Sequence, residues 1–139
     1  MSQQPQYHPI ENLWLISQVI KGSVTQAKDL TKMLKEAEHQ PYVLDDSIIN
    51  RATKQYQEGL EFVPIYREQL SRWQGLKLTD SQAPVVAELQ KEVEIMEVLY
   101  TDGLAMSKKM AEFTIDKVMS MSDIELALKS LSMKGFKGF

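Results

Sequence analysis

Four glutamates are spaced to do chemistry. Glu58 and Glu61 stand three residues apart in one apolar-periodic segment, and Glu94 and Glu97 repeat that spacing in the next. Residues three apart are neighbours on a helix surface, so each pair shares one face. Two such pairs on adjacent helices could take a magnesium ion, which favours carboxylates shared with substrate phosphates. A second fragment, Glu36-Ala37-Glu38-His39, spaces Glu36 and His39 like one arm of a dinuclear iron site. That site needs two Glu-x-x-His arms and two further glutamates on facing helices. The chain has two histidines, and the other, His8, lies at the opposite end of the same helix. The iron site cannot be completed, and Glu36–His39 reads as a solvated helix end.

All-helical nucleotide pyrophosphohydrolases use paired acids on adjacent helices in the way Glu58, Glu61, Glu94 and Glu97 would. Here the aspartate of their second motif is missing, and no basic cluster accompanies the acids to grip phosphate. The four glutamates therefore remain only the runner-up reading, as a magnesium site of a nucleotide hydrolase. No other catalytic pattern stands out. There is no Gly-x-Ser-x-Gly elbow, no glycine-rich phosphate loop and no cysteine. We assign no catalytic residue, no metal ligand and no cofactor.

Composition narrows the partner classes. Sixteen bases against 19 acids in 139 residues give a formal net charge of −3. Nucleic-acid binders carry a strong basic field, and this chain does not. Lys21, Lys28, Lys32 and Lys35 do recur along the first helix, but Asp29, Glu36 and Glu38 interrupt them. That face reads as solvated, or as facing the acids of the third helix. No apolar run reaches the roughly 20 residues that span a bilayer. The start, MSQQPQYHP, lacks the features of a signal peptide. The absence of cysteine suits a reducing cytoplasm.

Hydrophobic periodicity predicts three long helices, over about 9–38, 46–74 and 82–112. The first carries Leu13, Ile16, Ile20, Ala27, Leu30 and Leu34 at three-to-four spacing, with Ser23 in the remaining slot. The second carries Ile49, Ala52, Tyr56, Val63, Tyr66, Leu70 and Trp73. Asp45, Asp46 and Ser47 supply its cap, and Gly75 its stop. Pro64 lies inside it, and because the seam stays in phase we expect a kink and not a break. The third opens near Thr79-Asp80-Ser81, with Pro84 in its first turn. It carries Val86, Leu89, Val93, Met96 and Tyr100 on one stripe and Ile95, Leu99, Met106 and Met110 on another. A helix apolar on two sides is expected to be covered on two sides. No convincing internal repeat emerges.

Two features remain. Each long helix holds one glycine near its middle: Gly22, Gly59 and Gly103. Glycine costs about 1 kcal/mol against alanine in a helix interior. At one level of a bundle, these three would admit a close backbone or a ring such as Tyr56 or Tyr100, or would leave a small pocket. The second feature is the C-terminus, SDIELALKSLSMKGFKGF. Thr114 and Ser122 are each spaced to cap a short helix, Ser122 as a box with Glu125. Ile124, Ala127, Leu128 and Leu131 give residues 122–133 one apolar face, which we expect to close the bundle as a lid. Residues 134–139 form a tail with Phe136 and Phe139 between glycines and lysines.

The expected fold is all-α: one domain over 1–139, with three long helices closed by one or two short C-terminal ones. A polar arm, 1–7, precedes it and the 134–139 tail follows. The expected function is a non-enzymatic protein-interaction module, such as an adaptor, small chaperone or assembly subunit. A helical binder of small ligands at the glycine level is a further alternative. The partner is a protein of unknown identity, with a homodimer through the second and third helices favoured. The residues assigned to that contact are Phe62, Ile65, Ile95, Leu99, Phe136 and Phe139.

Overall fold

The computed structural model describes residues 6–40 and 43–120, together with 124, 125, 127, 128, 130 and 131. Three long helices make up the body: α1 (Leu13–Glu36), α2 (Asp46–Gln74) and α3 (Gln82–Met110). A 3-10 turn, Ile10–Asn12, leads into α1. A second, Ala111–Phe113, leads from α3 to the short α4 (Ile115–Met119). The all-α bundle read from periodicity is therefore the fold, and α2 has the expected bounds.

Local chemistry explains the boundaries. The Asp45 side chain accepts a hydrogen bond from the Ile48 N–H at 2.8 Å, one of the donors a helix start leaves unpaired. Gly75 terminates α2, and the helix runs unbroken through the exposed Pro64. The α3 entry is set by Thr79 and not by Ser81, whose side chain makes no capping bond. The Thr79 hydroxyl accepts from Gln82 N–H at 3.2 Å, and the Gln82 side chain accepts from Thr79 N–H at 3.0 Å. That reciprocal pair is a capping box built on Thr79-x-x-Gln82.

The core falls in two clusters that continue along the bundle. One holds Leu13, Ile20, Val63, Leu70, Trp73, Leu89 and Met96. The other holds Leu34, Leu44, Ile49, Ala52, Tyr56 and Met110. The predicted seams supply nearly all of it. Val24 was not on the α1 seam as read, yet it is buried.

Helix arrangement matters more for function than core membership. α3 packs most extensively, along both α1 and α2. The backbones of α1 and α2 approach each other less, and these two helices meet through side chains such as Thr31 and Tyr56. Between them lies a groove.

The two ends are tied down by polar contacts. At one end the chain before α1 is held to α2. The His8 backbone N–H donates to Gln69 Oε1 at 2.6 Å, and the His8 carbonyl accepts from Gln69 Nε2 at 3.2 Å and Trp73 Nε1 at 3.0 Å. Arg72 lies 4.0 Å from the centre of the Tyr7 ring, a cation–π contact. The end of the expected arm is thus docked. At the other end, Thr114 caps α4 through the Lys117 N–H, as its spacing predicted. The Thr114 hydroxyl and Lys117 ammonium both donate to the Asp46 carboxylate, at 2.6 and 3.0 Å. These bonds hold the Asp46 carboxyl below the usual carboxylate range. Buried Phe113 and Thr114 close this end.

The expected lid does not close it. Residues 124, 125, 127, 128, 130 and 131 are helical, but Ile124, Leu128 and Leu131 are 76%, 63% and 66% exposed. Helical spacing gave these residues one apolar face, and that face lies in water. The α3 expectation needs a similar correction. Met110 is buried and Leu99 and Met106 are half-buried, but Ile95 is exposed and so is Val98. Its second stripe is covered towards Met110, which packs with Leu34, Ile49 and Tyr56, and open at Ile95.

Candidate functional site

At the glycine level α2 and α3 interlock closely. A Cβ on Gly59 of α2 would fall inside the Tyr100 ring of α3, and a Cβ on Gly103 of α3 would fall inside the Tyr56 ring of α2. The two helices exchange tyrosines into each other's glycine notches. The rings meet edge to face, 6.4 Å apart at 68°. Gly22 differs, since a Cβ there would meet nothing within 4 Å. The predicted ring-admitting role thus holds for two of the three glycines.

This pairing exposes a short internal repeat that periodicity alone did not. Tyr56-Gln57-Glu58-Gly59-Leu60 and Tyr100-Thr101-Asp102-Gly103-Leu104 share the pattern Tyr-x-acid-Gly-Leu. On a helix, tyrosine and a glycine three residues on lie side by side. Each segment therefore offers one ring and one notch, and two of them fit face to face.

Above this pair the α1/α2 groove deepens to a pocket of about 190 Å³. Its α1 wall includes Ser23, Gln26 and Leu30, its α2 wall Gln55, Glu58 and Phe62, and its floor Tyr56 and Tyr100. Burial pushes the phenols of Tyr56, Tyr66 and Tyr100 up. Hydroxyl contacts pull them part of the way back, from Thr31 on Tyr56 and from Ser23 on the other two. Thr31 and Tyr56 share a hydrogen bond of 2.9 Å. A phenol whose folded pKa is raised supports the fold below its unfolded pKa of about 10 and withdraws that support as pH rises past it. Tyrosinate absorbance should therefore show Tyr56, Tyr66 and Tyr100 ionising late, together with loss of the helical signal. Ionisation of these three as free phenols, with helicity intact, would contradict this placement.

The α1 side of the groove carries exposed apolar side chains beyond the pocket, and its α2 wall carries exposed Phe62. Leu15, Val19 and Met33 lie along the α1 side that Gln26 and Leu30 share, and all three are exposed. On α2, Phe62 is 50% exposed and stacks on Tyr66, with ring centres 5.9 Å apart at 22°. Isolated exposed apolar residues are ordinary, but several along one groove suit a contact surface.

The four glutamates do not assemble. Glu94 and Glu97 both reach Arg67, at 2.9 and 3.2 Å, on the α2/α3 side. Glu94 foremost, with Glu97, holds the Arg67 guanidinium above its usual pKa. Glu58 faces the α1/α2 pocket and pairs loosely with Lys54 at 3.9 Å. Among the described residues, no three His, Cys, Asp or Glu side chains are grouped to hold a metal ion. The basic row of α1 turns the other way. Lys21 pairs with Glu88 of α3 at 3.4 Å, and Lys28, Lys32 and Lys35 line a hollow with Leu99.

The residues assigned to a partner contact are thereby split. Phe62 lies in the α1/α2 groove with Ile65 half-buried on the same helix, while Leu99 lines the α1/α3 hollow. α1 stands between them, so helices two and three do not offer these residues as one face. Phe136 and Phe139 lie outside the described residues, as does Ser122. Leu15, Val19 and Gln26 were missed because α1 was read for its core seam. The signal was a second row, Leu15, Val19, Gly22, Gln26, Leu30 and Met33, at three-to-four spacing.

No family model, no curated protein and no solved structure matches this chain. Among the described residues, no helix is long and apolar enough to cross a membrane.

Proposed function

We propose that this protein is a non-enzymatic interaction module of the cytoplasm, and that its docking face is the groove between α1 and α2. One observation carries the reading. The groove between α1 and α2 has an aromatic-floored pocket, with exposed Phe62 on its α2 wall and exposed Leu15, Val19 and Met33 along its α1 side. A partner helix laid in such a groove buries its apolar face with i, i+3, i+4 anchors. The pocket under Phe62 would receive the central anchor, where binding energy concentrates. An adaptor or assembly role needs nothing more. The cysteine-free composition suits a reducing compartment. The magnesium-hydrolase reading is not favoured, because Arg67 already neutralises two of the four acids it needs.

The test is co-purification from cells that make the protein, comparing the natural chain with Phe62→Glu and Val98→Glu. A protein retained by the natural chain and by Val98→Glu, but lost with Phe62→Glu, supports the groove. A partner retained by all three would place recognition elsewhere.

The pocket itself favours a second reading, a small-ligand site. An apolar cavity of roughly 150 Å³ accepts a benzene ring, so this one suits a single-ring ligand with a polar edge for Gln26, Gln55 or Ser23. A screen of single-ring compounds by methyl NMR tests it, with shifts confined to Leu30 and Ala27 expected. Absence of any binder at millimolar concentration would remove it.

A further inference from the structure

We propose that the α1/α2 groove is filled by the C-terminal helix of a second copy of this chain, exchanged reciprocally in a two-fold dimer. This deepens the groove reading and rests on it.

The chain carries two unpartnered apolar surfaces of complementary kind. One is the groove between α1 and α2, with Leu15, Val19 and Met33 along its α1 side and Phe62 on its α2 wall. The other is the C-terminal helix, whose Ile124, Leu128 and Leu131 recur at i, i+4 and i+7 and face water. Such a row is the anchor spacing with which a helix enters a groove.

Charge agrees with this pairing. Among the described residues, Glu58 is the only charged one lining the pocket, and its ion pair with Lys54 is 3.9 Å and exposed. After Glu125 the sequence holds no acid, and Lys129, Lys134 and Lys137 are its charges. A lysine of the incoming segment can replace Lys54 on Glu58.

A second copy is the occupant because the helix has not taken its own groove. α4 is fixed beside Asp46, and the apolar side chains of residues 124, 128 and 131 lie exposed. A reciprocal exchange covers both surfaces in both copies and closes on itself.

The absence of cysteine makes the test clean. Gln55→Cys places a thiol in the groove, and Leu128→Cys places one on the helix. Equimolar mixing of the two single variants under mild oxidation should give a disulfide-linked heterodimer. Its yield should exceed that of a Val98→Cys and Leu128→Cys pair by roughly tenfold, since seating raises effective concentration. Sedimentation equilibrium should give twice the monomer mass for the natural chain. Leu128→Asp, exposed in the single chain, should give a monomer that keeps its helical signal and loses the concentration dependence of the melting temperature that the natural dimer shows. Three results would each overturn the proposal: a natural chain that stays monomeric, a Gln55→Cys/Leu128→Cys chain that closes within one molecule, or equal yields with Val98→Cys. If the natural chain is monomeric while Phe62→Glu still loses a cellular partner, the exchange falls and the docking groove stands. If neither a dimer nor a partner depends on Phe62, both fall.

Discussion

Gly103→Ala is expected to destabilise the protein by roughly 1–3 kcal/mol, the range seen when a well-packed core is overfilled. The sign is opposite to the usual one, because alanine is favoured over glycine in a helix interior by about 1 kcal/mol. The added methyl would fall inside the Tyr56 ring. That ring cannot step aside, since it is fully buried, bonded to Thr31 and set edge-on against Tyr100. Gly59→Ala meets Tyr100, which is only half-buried and can swing towards the groove, so its loss should be smaller. Gly22→Ala meets nothing and is exposed, so it should stabilise by up to about 1 kcal/mol. Urea denaturation of the three variants measures all of this. Three gains of similar size would mean the tyrosine exchange is not as described. Pairing Gly103→Ala with Tyr56→Leu should recover part of the loss, because contacting residues do not add independently.

Trp73→Ala should have the largest effect, a loss of about 3–5 kcal/mol, as for other buried rings cut to alanine. Trp73 is fully buried in the larger core cluster, and its indole N–H also holds the His8 carbonyl. Trp73→Phe separates the two roles. It keeps most of the apolar volume but removes the donor, while Gln69 still bonds the same carbonyl. Its loss should be far smaller, about 1 kcal/mol, the net worth of one hydrogen bond plus a little packing. Hydrogen exchange should then rise at residues 8–12 ahead of the rest of the chain. Equal losses for the two substitutions would deny Trp73 its anchoring role.

The elements were legible where local chemistry sets them. Asp45 and Gly75 frame α2 because a capping carboxylate and a glycine stop act within a few residues, so its bounds could be read directly. The α3 start was less legible because Thr79, Asp80 and Ser81 are all capping types, and the Gln82 side chain decides among them. The Thr114 cap was local and was found. Gln69 was invisible, since its partner is a backbone 61 residues away. The C-terminal segment shows the same division most plainly. Spacing in Ile124, Leu128 and Leu131 announces a helix with one apolar face, but what that face meets is a tertiary matter. The groove was hidden for a similar reason. Its α1 wall is an ordinary second row on an amphipathic helix until that row is seen to flank the pocket between α1 and α2. The tyrosine–glycine exchange was half legible: the glycines stood out singly, while their pairing with Tyr56 and Tyr100 required knowing that α2 and α3 lie face to face.

Whether the groove is occupied when the protein is at work is the central question, and a single introduced thiol answers it. Gln26→Cys sits on the α1 wall of the pocket and Val98→Cys on the outer side of α3, in a chain with no other cysteine. Their alkylation rates are to be compared inside cells that make the protein and in dilute purified protein. The docking groove predicts that position 26 is strongly protected in cells and reactive in dilution, while position 98 reacts alike in both. Equal reactivity of position 26 in cells and in dilution would mean that nothing seats there.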